Sequence, residues 1–184
     1  MTDGSPEPAP VPARRWLILG SGGAGKSTLG RRLGALLELP VIHLDRHYWN
    51  PGWVPTEKSA WAEQVTELAS GDAWVMDGNY SGTLDIRFPR AQSVLLLDPP
   101  PWRCVWRIYK RRFSSESRPD IPDECPDRVD VQFLWWVASY RWRSRHRVLA
   151  RVAQYPHVEF RTLRSDREVT RFLSSLTQPS SSDA

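Results

Sequence analysis

The chain has 184 residues, 40% of them hydrophobic and 25% charged, with a formal net charge of +4. That length suits one domain able to bury about 70% of its unfolded surface. No apolar run approaches the ~18 residues of a membrane span, and two cysteines, Cys104 and Cys125, exclude a disulfide scaffold or a zinc ribbon.

Segment 1–13 is rich in Pro and Ala and carries Asp3 and Glu7 instead of the basic-then-apolar order of a signal peptide. It reads as a disordered leader, and the Pro/Ser segment 178–184 as a disordered tail. The domain is therefore expected over 14–177, cytoplasmic and monomeric, with both thiols reduced. Of 25 basic residues only Lys26, Lys58 and Lys110 are lysines. The rest are arginines, which suit bidentate contact with phosphate.

Trp16-Leu17-Ile18-Leu19 reads as a buried strand. It runs into Gly20-Ser21-Gly22-Gly23-Ala24-Gly25-Lys26-Ser27-Thr28, which fits the phosphate-binding loop pattern of Gly, four residues, Gly-Lys and Ser or Thr. Leu29, Leu33, Leu36 and Leu37 then recur at helical spacing. Strand, glycine loop and helix are the context this motif requires. Glycines let successive N–H groups converge on phosphate oxygens, and the helix start adds positive dipole. Lys26 is expected to reach the β- and γ-phosphates of ATP, and Ser27 to ligate Mg²⁺.

Pro40 ends the helix, and a second strand from Val41 ends at Asp45. The aromatic stretch 46–53 predicts a loop. A helix over 57–70 turns Trp61, Val65, Leu68 and Ala69 inward, with Gly71 at its C-terminal cap. Strand three, 73–76, ends at Asp77, a short helix or turn covers 83–90, and strand four, 94–97, ends at Asp98. A helix over 102–113 presents Trp102, Val105, Trp106, Tyr109 and Phe113 on its apolar face. On another face Arg103, Arg107 and Arg111 stack at i, i+4, i+8, an arrangement that repels unless an anion lies between them.

The polar, Pro-broken segment 114–130 reads as a flap. A long helix is expected over 131–155, with Phe133, Trp136, Val137 and Tyr140 inward and Arg141, Arg143, Arg145, Arg147 and Arg151 in its second half. Strand five covers 158–161. Ser165 and Glu168 form a capping box for a final helix to Leu176. Alternating strands and helices predict an α/β fold, a parallel sheet wrapped on both faces, with the site at the strands' C-terminal ends. Asp45, Asp77 and Asp98 all stand there. Such carboxylates can hold Mg²⁺ through water or accept a substrate hydroxyl's proton.

GSGGAGKST, HLDRHYW, WVMDGNY, VLLLDPP and RIYKRR, spread over 16–176, resemble the adenylate-kinase-like branch of P-loop kinases. Within it the chain is similar to bacterial DNA topology modulation proteins. The resemblance implies a three-layer sandwich, its five-stranded parallel sheet in the order 2-3-1-4-5, with an arginine-rich lid. It implies Asp77 as the Mg²⁺-linked carboxylate with Asp98 as runner-up, and Arg107 against the base. Arg111 is implied on the phosphates, and the loop 162–165, with Arg164, beside the nucleotide. Lys26, Asp45, Asp77 and Arg111 are the expected catalytic set.

The chain departs from that branch in two places. Asp77-Gly78-Asn79-Tyr80-Ser81 stands where adenylate kinases carry Asp-Gly-Phe-Pro-Arg, leaving Arg87 or Arg90 to replace the missing arginine. The segment after Asp45 is short and aromatic, not a nucleotide-binding insertion, so the acceptor of a kinase reaction is left open. A pI near 9.4 and the arginines of the long helix support an alternative, a nucleotide-dependent regulator that binds DNA.

Overall fold

A computed structural model describes residues 13–111, 120–125 and 131–177. The expected leader and tail, and most of the expected flap, lie outside them. Five parallel strands form the central sheet: β1 (Arg15–Gly20), β2 (Val41–His43), β5 (Trp74–Asp77), β6 (Ser93–Leu97) and β7 (Glu159–Leu163). Their spatial order is β2-β5-β1-β6-β7, which is the expected 2-3-1-4-5. The labels shift because the aromatic stretch adds a small antiparallel pair, β3 (Trp49–Asn50) and β4 (Val54–Pro55).

Alternation along the strands splits the core in two. Trp16 and Ile18 of β1 pack on one side with Leu29, Leu33, Cys104, Ile108, Val137 and Phe172. Those residues belong to α1 (Lys26–Leu37), α5 (Pro101–Arg111), α6 (Val131–Arg143) and α8 (Asp166–Thr177). Leu17 and Leu19 pack on the other with Trp61, Val65, Leu84, Phe88 and Val148. These come from α3 (Lys58–Ser70), α4 (Leu84–Arg87) with the residue after it, and α7 (Arg145–Val152). The result is a three-layer α/β sandwich. Among the described residues no helix is long and apolar enough to cross a membrane.

Four local expectations change. The second strand stops at His43, and Asp45 lies in a one-turn helix, α2 (Leu44–Tyr48), so its carboxylate leaves the sheet edge. Glu57 caps α3, accepting from the N–H groups of Ser59 and Ala60, instead of starting it. The long helix breaks at Ser144 into α6 and α7. The inner face of α5 is Cys104 and Ile108, while Trp102 is 70% exposed and Trp106 58%. The reason for that rotation is steric. A Cβ on Gly23 would stand 2.4 Å from the Cys104 carbonyl oxygen, so α5 approaches the phosphate loop too closely for an indole between them.

Candidate active site

The phosphate loop supplies backbone in place of side chains. Gly23 and Gly25 have φ of 71° and 98°, and Gly25 is the N-terminal cap of α1. These conformations suit glycine and turn N–H groups toward one cradle. The Lys26 ammonium donates to the Ser21 carbonyl at 3.0 Å, folded over the loop it serves. Cradle, cation and the Ser27 hydroxyl at the start of a 12-residue helix are a donor set that fits a phosphate chain with a magnesium ion.

Beyond the loop opens one continuous cavity of about 820 Å³. It is lined by Gly22, Gly23, Gly25, Lys26, Ser27, Thr28, Asp45, Arg107 and Arg111 from the expected set. Gly20, Ser21, Ala24, Asp77 and Arg164 do not line it. Ser21 is buried with its hydroxyl on the Val137 carbonyl, and the Ala24 carbonyl accepts from Arg107 at 3.2 Å. Arg164 is exposed, and its backbone N–H donates to Glu168 within the α8 cap that Ser165 and Glu168 form.

The three strand-end carboxylates have three different settings. Asp77 is buried, and its Oδ2 lies 3.0 Å from Nδ1 of His43, its register partner across β2 and β5. Burial alone would lower the His43 pKa, but the hydrogen bond and charge of Asp77 outweigh it and raise it. Asp98 is buried under two guanidiniums, Arg141 at 3.2 Å and Arg145 at 2.9 Å. It fastens α6 and α7 to the end of β6, so the runner-up position is an internal ion pair, and two of the long-helix arginines are spent inward. Asp45 faces the cavity. Burial raises its carboxyl pKa, while Lys26 and the Tyr80 hydroxyl, which donates to Oδ1 at 2.5 Å, oppose that shift. Tyr80 itself is pushed far up, first by burial and then by Asp45.

Two arginines of the α5 stripe share an anion. Asp166, at the first turn of α8, accepts from Arg103 at 3.1 Å and Arg107 at 2.5 Å. The Arg107 hydrogen bond holds the Asp166 carboxyl below the usual range. Arg87 and Arg90, by contrast, serve the backbone. Arg87 is fully buried and donates to the Gly78, Asn79 and Tyr80 carbonyls at 2.8, 2.6 and 2.9 Å. Burial lowers its pKa to about 9, with the charge retained at neutral pH. Arg90 donates to Ala69 and Ser70. Neither lines the cavity, so neither replaces the missing acceptor arginine.

Sequence reasoning missed several residues. Asp120 accepts from the Ser27 hydroxyl at 3.2 Å, and Cys125 lies against the Asn50 carbonyl, so 120–125 bridges the loop and the β3–β4 pair. Asn79 grips Gly20 twice, accepting from its N–H at 3.0 Å and donating to its carbonyl at 2.6 Å. Arg147 lines the cavity far from the phosphate-loop stretch in sequence, and no motif marked it. The Asp-Gly-Asn-Tyr departure was the available signal for Asn79 and Tyr80.

No protein-family model matches the chain, and no curated protein is similar to it. Solved structures share its fold. A shikimate kinase from Acinetobacter baumannii, in complex with shikimate, is 20% identical with a TM-score of 0.55, covering 91% of this chain and 92% of that one. A shikimate kinase from Bacteroides thetaiotaomicron is 18% identical at TM-score 0.52, covering 89% and 96%. A gluconokinase from Sinorhizobium meliloti 1021 is 15% identical at TM-score 0.51, covering 89% and 93%.

Proposed function

We propose that this chain is a small-molecule kinase that moves the γ-phosphoryl group of ATP onto a substrate hydroxyl. The observation that carries the reading is the continuity of the cavity, with phosphate-binding backbone at one end and a desolvated carboxylate, Asp45, at the other. A cavity of this kind brings a triphosphate and a hydroxyl into line and excludes water, which supplies most of what phosphoryl transfer needs. Lys26 and Arg111 stabilise charge on the transferring group, and Arg107 stands beside the nucleotide. Ser27 and Asp77 would hold Mg²⁺, which would neutralise charge on the phosphate oxygens. Asp45 orients the acceptor hydroxyl and takes its proton, for which a raised pKa is an advantage near neutral pH. The neighbours' names, shikimate kinase and gluconokinase, support a small acceptor over a nucleotide. The protein acts as a cytoplasmic monomer.

A metabolite screen with Mg-ATP tests the proposal through ADP release. Acceleration by one compound class, lost in Lys26→Ala, is the expected result, and nucleotide affinity unchanged by Lys26→Ala would defeat it.

A second reading, a DNA-binding or DNA-topology-modulating protein, is favoured by the exposed rings of Trp102, Trp106, Trp135 and Trp142 near arginines. It ranks lower because Arg141 and Arg145 are engaged by Asp98. Salt-titrated binding of single- and double-stranded DNA separates the two: a steep fall in affinity with salt, and no acceptor-dependent ADP release, would favour the regulator.

A further inference from the structure

The cavity is walled in part by aromatic rings drawn from separate elements. Trp49 and Trp53 of the hairpin region meet edge-on with centroids 5.4 Å apart. Trp136 and Tyr140 of α6 meet at 5.8 Å. Tyr80 reaches in from the turn after β5 and is packed on Tyr48 and Trp61, at 4.6 and 5.0 Å. Two of these rings rest on backbone that non-glycine residues rarely adopt, Trp53 at φ 65° and Tyr80 at φ 31°. Such strain persists where the surroundings over-determine it, and it clusters at ligand sites. Both strained residues line the cavity.

Polar side chains line the same cavity, Thr28, Arg31 and Asp120 among them, and several are already paired. Asn79 is engaged with Gly20 and with the Tyr140 hydroxyl, and the Tyr80 hydroxyl with Asp45. Ser81, Ser144 and Arg147 also line the cavity, and no hydrogen bond or ion pair to another described residue involves their side chains. Each polar group a ligand buries without a partner counts against binding, so a polyol must find a partner for every hydroxyl. A flat apolar body with one anionic group suits the same walls.

We propose that the acceptor is a small aromatic hydroxy acid. Its ring lies among Trp49, Trp53 and Trp136, its carboxylate takes the Arg147 guanidinium in a two-pronged contact, and its hydroxyl meets Asp45. The assignment rests on the kinase reading. In the reaction the hydroxyl oxygen bonds to the γ-phosphorus of ATP, and the bond from that phosphorus to the β–γ bridging oxygen breaks. The hydroxyl proton passes to Asp45. The products are ADP and an aromatic phosphate monoester.

Calorimetry on the full chain, held with Mg²⁺ and the imido analogue of ATP, tests this with 3-phenyllactate, its uncharged isostere 1-phenyl-2-propanol, gluconate, shikimate and AMP. Phenyllactate should bind at least about tenfold tighter than the other four. Arg147→Gln, a change at an exposed side chain, should remove about tenfold for phenyllactate and leave 1-phenyl-2-propanol unaffected. Trp53→Gly, which removes the ring while suiting the positive φ, should weaken both. Gluconate, shikimate or AMP binding as tightly as phenyllactate overturns the assignment. So does the absence of phenyllactate binding, or indifference to Arg147→Gln. ADP release in the same panel judges the kinase reading separately: phosphorylation of a polyol sinks the aromatic acid and upholds the kinase. Tight phenyllactate binding with no release of ADP for any probe upholds the pocket and sinks the kinase.

Discussion

The two ends of the cavity are built by different means. The donor end is nine consecutive residues, 20–28, whose ligating groups are largely backbone N–H, fixed by glycine conformations and a helix start. The acceptor end is assembled from side chains of α2, the hairpin, the turn after β5, α6 and α7, which only the fold brings together. A backbone-made site recognises what all its ligands share, here a phosphate chain. A side-chain-made site can be respecified one residue at a time. Under the proposed function, that difference would let one end be kept while the other changes.

Substitutions at the two ends should therefore fail differently. Lys26→Ala removes the only charged side chain of the loop and should cut kcat/KM by about thousandfold, with weaker Mg-ATP binding by calorimetry. Asp45→Asn should cost about a hundredfold in kcat while ATP affinity stays as it was. If ATP affinity falls equally in both variants, the division between the ends is lost.

Arg87→Leu leaves the Gly78 and Asn79 carbonyls without their donor and takes one of three donors from the Tyr80 carbonyl. It should cost about 3 kcal/mol of stability, read by urea denaturation, and impair the acceptor end before the donor end. A pH profile sharpens the contrast further. Because Asp45 has a raised pKa, the acidic limb of kcat/KM should lie above the ordinary carboxylate range, near 4. Tyr80→Phe removes a hydrogen bond that favours the ionised form, so the limb should move to still higher pH with less than about tenfold loss at its plateau. Asp166→Asn should have the smallest effect, since that carboxylate is well exposed: under about 1 kcal/mol and a few-fold in ATP affinity. Its folded pKa is depressed, so this stabilisation is full above pH ~4 and is lost as pH falls through the lower folded value.

The sheet order and the phosphate loop were legible because both are local or follow from alternation of strand and helix. Helix faces were harder where tryptophan and arginine alternate. On α5 the periodicity pointed to the tryptophan face, and the close approach of Gly23 to Cys104, invisible in sequence, turned Cys104 and Ile108 inward instead. Asp98 and Asp77 looked equivalent by position, yet one is paired with arginines more than forty residues away in sequence and the other hydrogen-bonds a histidine on the neighbouring strand. Arg87 showed the opposite failure. Its charge suggested a ligand, while its burial makes it the support of a turn. Function at the acceptor end lay in such long-range pairings, which composition and spacing do not encode.

Asn79 gives the molecule a mechanical property. The β1–β5 register places it opposite Gly20 if continued two residues past the Ile18–Asp77 pair, and its amide side chain makes both bonds that a main-chain rung would have made there. The ladder is thus prolonged by a surrogate rung after the strand proper has ended. The same residue carries Tyr80 next to it, so the loop that grips phosphate and the wall that carries Asp45's partner are riveted into one rigid plate. Under the proposed function, this joint would hold the phosphate cradle and the Tyr80 wall in register while substrate enters and leaves.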